Sequence, residues 1–263
     1  MSARHLRQLF DLSGRRALVT GGSRGLGLQM AHALGEAGAE LIISARKQHE
    51  LDAAVAELAA AGIRARAIAA DCGTTDGALA LARAAVADGP IDILVNNAGA
   101  TWGAPFEEHP IEAYDKVMNL NVRGIFVLTQ AIGKASMLPR GRGSIINVAS
   151  IAGLAANPPW MKTAAYNTSK AAVINLTRAI ASEWGPRGIR ANAICPGFFP
   201  SKMTHGLLSA VGEETIAKSA PLRRLGDEED LKGITVFFAS DASKHVTGQW
   251  IAVDGGVSAV LGA

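Results

Sequence analysis

The chain has 263 residues, 49% of them hydrophobic and 19% charged, with a formal net charge of +3. That length and apolar content suit one large α/β domain over 1–263, with a short N-terminal extension over about 1–13. The lysines and arginines are scattered, with no basic face and no aromatic–basic module, which argues against nucleic-acid binding.

Cys72 and Cys195 are the two cysteines and lie far apart, so no disulfide framework is implied and a reduced, cytoplasmic setting fits. The opening "MSARHLRQLFDLSGRR" has basic residues but no apolar core, unlike a secretory signal. No apolar run approaches the ~18 residues of a membrane span. The six histidines include no pair at ligand spacing, so no metal site is expected.

In chain order, short apolar runs alternate with helical patterns. The runs are "RALVT" (16–20), "ELIISA" (40–45), "RARAIAA" (64–70), "IDILVNN" (91–97), "SIINVAS" (144–150), "RANAICP" (190–196) and "QWIAVD" (249–254). Several are nearly continuous in Ile, Leu, Val and Ala, as in strands covered on both faces. Helical stretches lie between them, such as "LGLQMAHALGEAG" after the first run, and "ELDAAVAELAAAG", which stops at Gly62. Alternation of this kind predicts a seven-stranded parallel sheet with right-handed crossovers and helices on both faces, a Rossmann-type fold.

After the first strand comes Thr20–Gly27, "TGGSRGLG". Gly21-x-Ser23-x-Gly25 literally matches an esterase nucleophile elbow, but only one strand precedes it and no orienting acid accompanies the late His205 and His245. A phosphate-cradling turn explains more. Gly21, Ser23, Arg24, Gly25, Leu26 and Gly27 would put free backbone N–H groups and the positive end of a helix at one spot. The second strand ends at Ser44-Ala45-Arg46-Lys47, without the carboxylate that would bind the ribose 2′-hydroxyl of NAD. Arg46, joined by Arg24, can instead grip a 2′-phosphate, which predicts NADP(H).

"AAYNTSKAAVINLTRAIASEW" (164–184) predicts a long helix with Tyr166 and Lys170 four apart on one face. An ammonium beside a phenol favours the phenolate and lowers its pKa, making a usable proton donor and acceptor. Alone, such a pair is commonly a surface feature.

The motifs together, in order, resemble the short-chain dehydrogenase/reductase family along nearly the whole chain. They are the Thr20–Gly27 loop, Asp71 after the third strand, "NNAG" at 96–99, Asn121 in "NLNVRGIF", Ser150 ending "SIINVAS", Tyr166 with Lys170, "PG" at 196–197 and "VDGG" at 253–256. The resemblance implies that Tyr166 is the acid/base and that Ser150 hydrogen-bonds the substrate oxygen. Lys170 lowers the pKa of Tyr166 and binds the nicotinamide ribose, and Asn121 holds a relay water. It also implies that Asp71 and Cys72 meet the adenine, Asn97, Ala98 and Gly99 line the cofactor cleft, and Pro196, Gly197, Phe199 and Ser201 lie by the carboxamide. Asn96 would be structural, and the assembly a homotetramer in which the C-terminal edge packs against another subunit.

Ser150 and Tyr166 stand sixteen apart, slightly more than is usual in the family, and the intervening stretch holds Pro158-Pro159. Trp102, Trp160, Phe198 and Met203 are candidates for an apolar pocket wall. "NNAGATWGAPFEEHP" and "PGFFPSKMT" look most like 3-oxoacyl reductases of the rhamnolipid-synthesis type, and the second also like gluconate 5-dehydrogenases. The expected reaction is NADPH-dependent reduction of a small-molecule carbonyl, a 3-oxoacyl thioester first and a sugar acid as the alternative. A non-catalytic NADP-binding relative is the remaining possibility, against which the intact Ser–Asn–Tyr–Lys set speaks.

Overall fold

The computed structural model describes residues 4–260. Seven strands form one parallel sheet in the order β3-β2-β1-β4-β5-β6-β7. They are β1 (Arg16–Thr20), β2 (Glu40–Ala45), β3 (Ala65–Ala69), β4 (Ile93–Asn96), β5 (Gly143–Val148), β6 (Ile189–Pro196) and β7 (Trp250–Val253). The sequence places every strand, with ends displaced by at most two residues.

Alternation along the central strands feeds two cores. Ala17 and Val19 of β1 join Leu41, Ile43, Met30 and Leu34, while Leu18 joins Ile42, Leu94, Leu81 and Ile132. Both faces must be apolar because helices cover both. The edge strand β3 departs from this pattern: it is only half-buried, and Arg66 reaches out of it to the carbonyl of Ala84 at 3.1 Å. Its charged positions suit an edge.

The helices before the midpoint are α1 (Leu6–Phe10), α2 (Gly25–Glu36), α3 (Gln48–Ala60), α4 (Thr75–Val86), α5 (Ile111–Met118) and α6 (Ile125–Ile132). The short turn α7 (Leu138–Arg140) and the predicted long helix α8 (Ala164–Trp184) follow, then α9 (His205–Val211), α10 (Glu213–Ser219) and α11 (Lys232–Ala239). Gly62, at φ +75°, gives α3 its left-handed stop. The N-terminal residues from Arg4 onward are docked: Leu12 is fully buried, and Arg4 pairs with Asp241 at 2.7 Å.

Strand order reverses between β1 and β4. Their outgoing loops diverge there, opening a crevice at the carboxyl ends of the strands. Among the described residues no helix is long and apolar enough to cross a membrane.

Candidate active site

The glycine turn leaves β1 under tight constraint. Gly21 sits at φ +64° and Gly25 at φ +53°, both left-handed. A Cβ on Gly27 would lie 2.1 Å from the Gly21 carbonyl oxygen, so only glycine lets α2 begin there. Space is open where a Gly25 side chain would be, and α2 has no side-chain cap. The first-turn N–H groups and the positive helix end therefore face the crevice free to meet an anion.

The loop after β4 locks this turn in place. Thr20 Oγ1 accepts from the backbone N–H of Asn97 (3.0 Å) and of Ala98 (3.1 Å). Asn97 Nδ2 donates back to the carbonyls of Thr20 (3.0 Å) and Gly21 (3.2 Å). Asn96 points the other way, into the core, donating to Thr129 Oγ1 at 3.0 Å and Asn147 Oδ1 at 2.8 Å. It is the brace the sequence reading expects.

Beyond β2, Arg46 is exposed, with no hydrogen-bond or ion-pair partner among the described residues. Arg24 is engaged: its Nη1 donates to both oxygens of Glu50, at 2.8 and 2.9 Å. Lys47 Nζ stands 3.3 Å from the same carboxylate. The sequence reading missed Glu50 because it looked for an acid at the strand end. Glu50 instead lies in the first turn of α3, four residues past Arg46, and the helix folds it back onto the glycine turn.

Past β3, Asp71 is exposed and accepts from the Gly73 N–H at 2.9 Å. The Cys72 side chain is buried in the core, where burial, then the Asp71 charge, pushes its thiol up to about 11. Only its backbone is left for the crevice. Gly124 fixes this corner, since a Cβ there would lie 2.1 Å from the Cys72 carbonyl.

Asn121 is fully buried within a π-helical turn, Asn119–Gly124. Such turns add a residue to the helix and recur at functional sites. Its Oδ1 accepts from the Ala100 N–H at 2.8 Å, and its Nδ2 donates to the Ala100 carbonyl and to Ser169 Oγ, each at 2.9 Å. The side chain is thus tied to the backbone after Gly99.

Ser150 follows β5 in extended backbone and caps the short turn Ile151–Gly153, accepting from the Ala152 N–H at 3.1 Å. A Cβ on Gly153 would lie 2.6 Å from the Lys170 carbonyl carbon. That close approach presses the Ser150 turn onto α8, the helix that carries Tyr166 and Lys170. Burial raises the Tyr166 phenol above its ordinary value, and Ser150 pulls it back down. Lys170 is fully enclosed. Its Nζ lies 5.5 Å from the Tyr166 ring centre and donates to the Val148 carbonyl at 2.8 Å. Burial brings its pKa down to about 8. Burial dominates the phenol and Ser150 opposes it, with the Lys170 ammonium beside the same ring. Beneath them, burial holds the Cys195 thiol up at about 11, so it is neutral near neutral pH.

After β6, Gly197 is packed so closely that a Cβ would lie 2.6 Å from that of Asp254, in the "VDGG" segment. The Phe199 side chain is buried and its ring packs against Gly226 in the core, so what it can offer the crevice is its backbone. Ser201 Oγ is turned to Thr204 Oγ1 at 3.0 Å. Trp102, Trp160 and Met203 are exposed and Phe198 is half-buried, on loops around the mouth of the crevice. Two of these loops are tied together by the Ala104 N–H donating to the Lys162 carbonyl at 2.9 Å.

A crevice with a free helix start on one side and a serine–tyrosine–lysine set on the other is the frame of a dinucleotide-dependent redox site. The family model described as enoyl-(acyl carrier protein) reductase matches residues 21–258. The chain belongs to the short-chain dehydrogenase/reductase family. It is 40% identical over 255 residues to gluconate 5-dehydrogenase of Gluconobacter oxydans, covering 96% of this chain and 98% of that protein. It is 38% identical over 252 residues to the rhamnolipids biosynthesis 3-oxoacyl-[acyl-carrier-protein] reductase of Pseudomonas aeruginosa, covering 94% and 97%. Its fold matches a gluconate 5-dehydrogenase from Burkholderia cenocepacia, solved in complex with NADP and tartrate, with a TM-score of 0.91, 35% identity, and 98% and 100% coverage. This short-chain dehydrogenase/reductase is an oxidoreductase.

Replacing Thr20 by Val keeps the shape but strips the shared acceptor from the Asn97 and Ala98 N–H groups. Urea unfolding should show a loss of about 1–3 kcal/mol.

Proposed function

We propose that this enzyme reduces a ketone to a secondary alcohol with NADPH, with a 3-oxoacyl thioester as the substrate class. The observation that carries the reading is the convergence of Ser150, Tyr166 and Lys170 opposite the glycine turn. Bound NADPH supplies the hydride to the carbonyl carbon. Gly21, Ser23, Gly25, Leu26 and Gly27 hold its pyrophosphate. Arg46 and Arg24 meet the 2′-phosphate, Asp71 the adenine, and Asn97, Ala98 and Gly99 the middle of the cleft. Pro196, Gly197 and the backbones of Phe199 and Ser201 flank its far end.

Ser150 donates to the carbonyl oxygen and holds it against Tyr166. Tyr166 gives its proton to that oxygen as negative charge develops, and takes it back in the oxidative direction. The buried Lys170 ammonium stabilises the phenolate left behind, with no buried thiolate to neutralise it. Asn121 acts as a positioning residue by fixing the backbone at Ala100.

The exposed Trp102, Trp160 and Met203 give an acyl chain an apolar rim. A second reading, oxidation and reduction of a sugar acid, is favoured by Lys162 and Lys202. These exposed cations lie on the same loops as Trp160 and Met203 and suit a carboxylate. NADPH oxidation with β-ketoacyl thioesters and with keto-sugar acids separates the two. Turnover of neither class would overturn both. Tyr166→Phe should lose at least 10³-fold in turnover on the preferred substrate, while NADPH binding, followed by fluorescence, changes less than about twofold.

Below about pH 8 Lys170 carries its charge, and above it the charge is lost. The Tyr166 phenol, raised by burial, keeps its proton across that range. The kcat/KM for reduction should therefore be level below pH 8 and fall above it, with Lys170 setting the midpoint. A decline starting only above the ordinary tyrosine value would assign the titration elsewhere.

We also propose one domain and a homotetramer in the cytoplasm. The half-exposed Trp250 and Ile251 of β7 and the exposed Phe126 of α6 support the assembly, because free apolar faces of this kind mark contacts between copies. Light scattering should return about four times 27.2 kDa.

A further inference from the structure

The Arg24–Glu50 pair occupies the spot where the proposed function needs a cation for the 2′-phosphate. Two cations, Arg24 and Lys47, meet one carboxylate there, and Arg46 stands exposed just past β2. The carboxylate sits closest to Arg24, at 2.8 and 2.9 Å, and next to Lys47, at 3.3 Å. Burial of the Glu50 carboxyl acts against its charge, but Lys47, Arg24 and His49 together hold its pKa below the ordinary value. It is a fixed anion in a place meant to receive another.

We propose that Glu50 is a specificity-determining residue that competes with the 2′-phosphate for Arg24. This rests on the NADP(H) reading above. With an unphosphorylated ribose the Arg24–Glu50 pair stays closed. With a phosphorylated one, Arg24 exchanges carboxylate for phosphate, and Lys47 is already in place to take the released carboxylate. Arg46, which has no partner to give up, receives the phosphate first. Glu50 thus holds the preference for phosphorylated cofactor below what three cations alone would produce, and leaves room for the unphosphorylated form.

The test is calorimetric titration of the full chain with 2′,5′-ADP and with 5′-AMP, for the wild type and Glu50→Gln. The amide keeps the side chain's shape and removes its charge. The wild type should bind 2′,5′-ADP more tightly than 5′-AMP. In E50Q the 2′,5′-ADP dissociation constant should fall roughly three- to tenfold, the scale of removing one like charge at a partly exposed site. Binding of 5′-AMP should stay within twofold, which also certifies the fold. If E50Q binds 2′,5′-ADP equally well or more weakly while the wild type still prefers it, Glu50 is not a competitor and the proposal is overturned, with the NADP(H) reading intact. If the wild type itself binds 5′-AMP as tightly as 2′,5′-ADP, the NADP(H) reading falls and the proposal falls with it.

Discussion

Everything in this molecule's crevice depends on how the ends of β1 and β4 are held together. Two parallel neighbours whose crossovers leave in opposite directions create a gap, and nothing in the sheet's own hydrogen bonding closes or shapes it. The Thr20 hydroxyl and the Asn97 amide do so, with four hydrogen bonds between the two outgoing backbones. Because the bonds run both ways, the glycine turn cannot shift without disturbing the loop that leads to Gly99. Past Gly99 the backbone is gripped again by Asn121 at Ala100. One polar seam therefore runs from the phosphate end of the crevice to its reactive end.

On the reactive side the organising force is burial. Lys170 is enclosed, with its pKa brought down to about 8 by burial, and its ammonium donates to the Val148 carbonyl. Tyr166 feels the same loss of solvent with the opposite sign, since its charged form is the phenolate. The ordinary order of the two pKa values is thereby reversed and the gap between them widened, with lysine descending and tyrosine rising. This makes the protonated pair the resting state. The phenol delivers its proton only when the substrate oxygen beside Ser150 becomes basic.

Much of this was legible in the sequence because it is written in local patterns. Strands buried on both faces must be apolar, so their places were plain. The 21-residue helix α8 could be read to its ends. Glycines at Gly21, Gly25 and Gly27 announce a turn no other residue fits. What stayed hidden depends on tertiary approach. Glu50 looks like an ordinary acid in the first turn of a helix until α3 folds against α2. That the Phe199 ring turns into the core, where Gly226 leaves room for it, depends on tertiary approach as well. The spacing of Tyr166 and Lys170 shows that they share a face, but not how deeply α8 is set, and that depth decides how burial acts on both groups.

The stretch between Ser150 and Tyr166 is fastened at each end. Gly153 lies against the α8 backbone at Lys170, and Asn157 Nδ2 donates to Thr163 Oγ1 at 2.9 Å, next to Asn167 on α8. The residues between the fastenings, Pro158, Pro159 and Trp160 among them, bulge toward the rim. Lengthening this segment therefore changes what the mouth admits without moving the proton-transfer groups beneath it. Rim and chemistry are thus mechanically separate parts: the first hangs from two small fastenings, and the second is held by the body of α8.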